Sequence, residues 1–208
     1  MRTLDKQVFT KQEWQLLASL NSPRKIQDYL DTLGINFEKG GETLRSPREV
    51  MKVGEAHCIE GALMAATALW YHDKSPLLLD LVTSKSDFDH VVALFKVGKH
   101  WGALSKTNHA VLRYREPVYK SVRELAMSYF HEYFLDNGKK TLRTYSKPFN
   151  LSKIINQAWI ISNEDLWDLE TALDNSPHIK ILTLAQIRNL RLAHPIERLA
   201  GKLVEHKK

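Results

Sequence analysis

Cys58 is the single cysteine in 208 residues, and it stands inside the stretch Val53–Ala65, VGEAHCIEGALMA. A thiol reacts as its thiolate, and helix N-termini favour that form because their unsatisfied N–H groups and the macrodipole attract negative charge. Gly54 breaks the preceding helical pattern, so Cys58 falls at or near the mouth of the next helix. There its own N–H is one donor that an oxyanion could use. A nucleophilic cysteine needs a base, and His90 follows the polar turn SKSDFD and opens an apolar run, which puts it at a strand end. A third group should orient the imidazole; Ser105 and Asn108, in WGALSKTN, lie one hairpin further on. Such a set performs nucleophilic attack on an acyl carbon. Taken singly, Cys58 reads as a small buried hydrophobe, His90 as a satisfied polar residue and Asn108 as a turn residue. Their joint order is what favours the reactive reading. His57 reads as a surface residue or as one that tunes the neighbouring thiol.

The elements that must position these residues are marked by their caps and periodicity. Thr10 with Glu13 forms a capping box ahead of Trp14, Leu17 and Leu20. Ser22-Pro23 opens a second helix with the stripe Ile26, Tyr29, Leu30 and Leu33, closed by Gly34. Asn36–Thr43 reads as a loop, and Ser46-Pro47-Arg48-Glu49 as the capping-box start of a short helix stopped by Gly54. From Cys58 onward, Ile59, Ala62, Leu63, Ala66, Leu69 and Trp70 keep helical spacing while Met64, Ala65 and Ala68 fill the other faces. A helix apolar all round is buried. Pro76–Val82 and His90–Val97 are short apolar runs that read as buried strands, with Gly98-Lys99 as a hairpin turn into Trp101–Leu104 and Ala110–Tyr114 as a further strand. Ser121 with Glu124 caps another helix, which carries Leu125, Tyr129 and Tyr133 on its apolar face. Beyond residue 150 the chain reads as helical again, over Ser162–Leu173, over Thr183–Leu192 and in a last short helix ended by Gly201. The expected fold class is α+β, with residues 1–150 as core and N-terminal helices and 151–208 as a C-terminal helical extension of the same domain.

The segment from Ser46 to about Tyr119 resembles the transglutaminase-like cysteine-protease superfamily. The matching pieces are SPREVMKVG, GEAHCIEGALMAATAL and DHVVALFKVGKHWGAL; more narrowly, AHCIEGAL, LLLDL, DHVVALF and LRYREPVY are similar to a bacterial branch of it. The resemblance implies a papain-like core in which a buried nucleophile helix packs on an antiparallel sheet, with Cys58 as nucleophile and His90 as general base. The third residue in that superfamily is an aspartate shortly after a tryptophan in the strand following the histidine. Here Trp101 is present, Ser105 stands where the aspartate is expected, and Asn108 is the other residue able to serve, as in Cys-His-Asn sites. The superfamily often draws its second oxyanion donor from a glutamine or tryptophan upstream of the cysteine, and neither type occurs between Thr43 and His57. Trp101, Arg113, Tyr114 and Arg115 are the expected substrate-binding residues; an ion-pair patch formed by Arg113 and Arg115 with Glu116 is the structural alternative.

Composition bounds the remaining readings. The net charge of +6 comes from positives that mostly alternate with acids, so a solvated basic surface is expected and no nucleic-acid partner. Zinc-finger spacing and Gly-rich phosphate loops are absent, and His90, His100 and His109 sit nine or ten apart, so no metal or other cofactor is expected. No apolar run approaches the ~18–20 residues of a bilayer span, and the N-terminus lacks a signal-peptide core. One cysteine forms no internal disulfide and fits a reducing, cytoplasmic setting. The expectation is therefore a thiol-dependent amide hydrolase or acyltransferase acting on a peptide-like substrate. The alternative is a catalytically degraded relative that serves as a protein-binding scaffold. Nothing in the sequence bears on oligomeric state.

Overall fold

The computed structural model describes residues 2–154 and 156–207. The capping signals produce their helices. Thr10 and Glu13 bond reciprocally at the start of α1 (Lys11–Ser19), and Ser22 with Pro23 opens α2 (Pro23–Thr32). Gly34 does not end α2. It begins β1 (Gly34–Ile35), which pairs in parallel with β2 (Glu55–Ala56). Between them runs α3 (Pro47–Val53); Ser46 accepts from the Glu49 N–H, while the Glu49 carboxylate turns to Lys52. Gly54 closes α3 in the left-handed conformation, φ 75°, where a side chain would be strained. The chain is thus reversed into β2, and α4 (Cys58–Tyr71) starts two residues later.

Helix α4 is buried on every face from Ile59 to Tyr71, as its composition requires. It lies on a mixed-length, wholly antiparallel sheet of β3 (Leu77–Val82), β4 (His90–Val97), β5 (His100–Leu104), β6 (Arg115–Tyr119), β7 (Thr144–Ser146), β8 (Phe149–Asn150) and β9 (His178–Lys180). The strand order is β6-β5-β4-β3-β7-β9, with β8 also pairing β3. One apolar core joins α4 and the N-terminal helices to Leu78, Ala93 and Phe95. A second, containing Leu79, Leu81, Val92 and Leu94, packs on α5 (Val122–Tyr129). Alternation along β3 and β4 divides their side chains between the two. The architecture is α+β, with helices against an antiparallel sheet.

Several expected elements differ, among them the helix over Thr183–Leu192, which is shortened to Leu184–Arg188. Ala110–Tyr114 is a loop, because Leu112 adopts φ 61° and spends its N–H on Glu132 and its carbonyl on Ser105; the strand begins at Arg115. Helix α6 spans Trp167–Asp174 and not Ser162–Leu173: Asp165 is drawn to the Leu44 N–H and the Ser162 carbonyl to the Ser46 hydroxyl, which holds 162–166 out of helical form. The C-terminal part is not purely helical. Beside α6, α7 (Leu184–Arg188) and α8 (Pro195–Gly201), it adds β9 to the edge of the main sheet. After α8 the tail pairs with the loop 108–110, the Glu205 N–H reaching the Asn108 carbonyl and the Ala110 N–H that of Leu203.

Candidate active site

Cys58 is the first residue of α4, so its N–H has no carbonyl within the helix to bond. The helix mouth is anchored by Glu60, which is wholly buried one turn in. Its carboxylate accepts from the His57 N–H at 2.9 Å, the Arg45 N–H at 2.9 Å, the Thr43 hydroxyl at 3.2 Å and the Asn36 amide at 3.1 Å. These bonds tie the loop 36–45 to the start of α4 and set His57 beside the thiol. His57 Nε2 lies 2.8 Å from the Thr43 carbonyl and 3.5 Å from Glu60 Oε1. That leaves Nδ1 for Cys58. Burial pushes the His57 imidazole down, but its hydrogen bond to Cys58, the charges of Cys58 and Glu60 and the Thr43 carbonyl lift it to about 9. Burial likewise pushes the Cys58 thiol up; hydrogen bonds from His57 and His90 and the charges of both bring it down to about 5. The hydrogen bonds and charges of the two histidines thus favour the thiolate over the thiol.

His90 opens β4 and is buried. Its Nε2 is 2.8 Å from Ser105 Oγ, and the Ser105 hydroxyl donates to the Leu112 carbonyl at 2.6 Å. Because that proton is committed to Leu112, Ser105 Oγ accepts from His90 Nε2–H, which turns Nδ1 toward Cys58. Ser105 is itself clamped by Gln27 of α2: the amide Nε2 donates to the Ser105 carbonyl at 2.9 Å, and Oε1 accepts the Ser105 N–H at 3.0 Å. Leu112 is held in turn, its N–H 2.7 Å from Glu132 Oε2. The order is therefore Leu112 carbonyl, Ser105 hydroxyl, His90 imidazole, Cys58 thiol. The thiol and both histidines open onto a cleft of about 320 Å³ whose walls include Asp87, Phe88, Lys106, Leu112, Tyr133 and Phe134.

Other residues singled out in the sequence lie elsewhere. Asn108 is on the cleft rim, but its side chain is held at both ends by the backbone of His206, at 2.8 and 2.9 Å, and does not reach His90 through any bond. None of Trp101, Arg113, Tyr114 and Arg115 lines the cleft. Trp101 sits beneath Lys96, 4.0 Å from its ring; Arg113 pairs with Glu205; Tyr114 stacks on Phe95; Arg115 bridges Glu132 and lies over Tyr129. These contacts brace β6 and the tail. The sequence reading passed over Glu60, Gln27 and Tyr133. Glu60 had a usable signal, a carboxylate three residues after His57 on an otherwise apolar helix.

Among the described residues no group of three or more His, Cys, Asp or Glu could hold a metal ion, and no helix is long and apolar enough to cross a membrane. No protein-family model matches the chain, and no curated protein matches it in sequence.

Proposed function

We propose that the protein is a thiol-dependent acyl-transfer enzyme on a papain- and transglutaminase-like core, acting on an amide or ester of peptide-like character. Cys58 Sγ attacks the acyl carbon, a C–S bond forms, and the π-electron pair moves to the carbonyl oxygen. His90 holds the proton displaced from the thiol and delivers it to the leaving amine or alcohol as the C–N or C–O bond breaks. Water, or a second amine, then attacks the acyl-cysteine with His90 as base, and free Cys58 returns. The observation that carries this reading is the continuous chain from the Leu112 carbonyl through Ser105 and His90 to the Cys58 thiol, at the floor of an open cleft. His57 contributes by keeping the thiol ionised in the resting protein.

A second reading rests on Ser105, which stands where a carboxylate would stabilise the imidazolium by charge. On that reading the core is retained and the cleft binds a protein without chemistry. Intact mass after brief exposure to p-nitrophenyl acetate separates the two. The enzyme reading expects a single acetyl group mapping to Cys58, formed faster than in Cys58→Ala or His90→Ala. Acetylation that is slow, scattered over lysines and indifferent to both substitutions would leave the scaffold.

A further inference from the structure

A leaving group takes its proton from His90, so it lies against that ring and the turn that carries the chain into β4. Phe88 stands on this turn, two residues before His90 and therefore within about 7 Å of it along the backbone. Both residues line the cleft that holds Cys58. Phe88 is 90% exposed, and its ring belongs to neither apolar core. That exposure does not come from a loose loop. The Asp87 carboxylate accepts the Phe88 N–H at 2.9 Å with one oxygen and the Thr141 hydroxyl with the other. On the far side of Phe88, Asp89 Oδ1 accepts the Thr83 N–H at 2.7 Å and the Thr83 hydroxyl at 2.9 Å. The Ser84 N–H adds a bond of 2.9 Å to the Thr141 carbonyl. Both carboxylates beside Phe88 are thus spent on holding the turn, and what the turn presents is an apolar ring in water, which forgoes the gain of burial. Val111, Leu112 and Phe134 add apolar wall to the same cleft.

We propose that Phe88 is a specificity-determining residue on the leaving-group side of the site, and that the group split from the acyl carbon carries an apolar, ring-sized substituent that covers the Phe88 ring. This rests on the acyl-transfer reading above and adds to it the class of substrate. As Cys58 Sγ bonds to the acyl carbon, the bond from that carbon to the leaving atom breaks, and the leaving atom takes the proton held by His90. Its substituent then extends along the turn toward Phe88. The reverse path has the same geometry, so an amine that resolves the acyl-cysteine enters over Phe88 and is chosen for the same apolar character.

The test uses thioesters on the full chain, read as acylation of Cys58 by intact mass. S-benzyl and S-methyl thioacetate leave the same acetyl group on the thiol and differ only in what departs. In Phe88→Ser the rate from the benzyl ester should fall about tenfold, the value of about 50–60 Å² of apolar contact, while the rate from the methyl ester stays as in the wild type. Alkylation by iodoacetamide, which has no such substituent, should also be unchanged and reports that the site remains folded. Equal slowing with both esters would overturn the proposal by placing Phe88 on the thiol or His90, and so would wild-type rates with both. A loss seen with S-methyl hexanethioate and not with the benzyl ester would overturn it too, by moving Phe88 to the acyl side. If wild-type protein is acetylated no faster than Cys58→Ala, the acyl-transfer reading fails first and this proposal falls with it.

Discussion

Replacing Ser105 with alanine removes the acceptor for His90 Nε2–H and the donor to the Leu112 carbonyl, while the Gln27 clamp on the Ser105 backbone remains. A buried donor left unpaired costs roughly 1–3 kcal/mol. The ring escapes part of that by turning, which takes Nδ1 away from Cys58. If the productive orientation is disfavoured by about 1–2 kcal/mol, acylation slows by about 5–30-fold. The assay is the pre-steady-state release of p-nitrophenolate at neutral pH, with thermal melting to show that the fold persists. Asn108→Ala is the matched control: its amide bonds to the His206 backbone, so the acylation rate should not change. Wild-type rates in Ser105→Ala, or a larger loss in Asn108→Ala than in Ser105→Ala, would refute the assignment of Ser105 as the group that orients His90.

His57→Gln removes an imidazolium that is present up to about pH 9, so the midpoint of the Cys58 alkylation profile should rise from about 5 toward neutrality. The plateau above that midpoint should rise too, since a more basic thiolate is the better nucleophile; an unmoved midpoint would remove His57 from the account. Asp80 is buried, and burial, opposed by the His178 ring 3.1 Å away, raises its carboxyl from 3.8 to about 6. Its contribution to stability is thus full below pH 3.8 and lost as pH rises through about 6. Above that, the loss is about 3 kcal/mol. Asp80→Asn should therefore gain on the wild type in urea denaturation between pH 4 and pH 7, and a pH-independent difference would show that the carboxylate is not penalised. Gly61→Ala would set a Cβ 2.4 Å from Lys106 Cβ. It should destabilise the protein by roughly 1–3 kcal/mol by the same denaturation, through overpacking, and slow acylation by shifting the neighbouring Ser105; a neutral result would mean that the contact between α4 and Lys106 is loose.

Much of this arrangement could be read before any coordinates. Thr10 with Glu13, Ser22 with Pro23 and the turn at Gly54 are local signals, each complete within a few residues, and they place α1, α2 and the mouth of α4. The apolar runs Leu77–Val82 and His90–Val97 are long enough to declare strands, so the meeting of Cys58, His90 and Ser105 followed from a helix mouth and one hairpin. What stayed hidden depends on contacts distant in sequence. Gln27 lies 78 residues before the serine it clamps, and within the α2 pattern it passes for a solvent-facing glutamine. Leu112 looks like a strand residue until Glu132 and Ser105 claim its backbone. Tyr133 fits the apolar face of a helix, and only its lack of a partner sets it apart from its neighbours. Strands β7 and β9 have three residues each, too few for an alternation to register.

The central claim is that Cys58 and His90 work as one reactive pair, and the pH dependence of Cys58 alkylation by iodoacetamide, in the wild type and in His90→Ala, tests it most directly. The account predicts reaction in the wild type down to a midpoint near pH 5 and, in the variant, a midpoint displaced upward toward the ~8.5 of a free cysteine. A thiol that stays inert until the protein unfolds, or one whose midpoint is the same with and without His90, would contradict it.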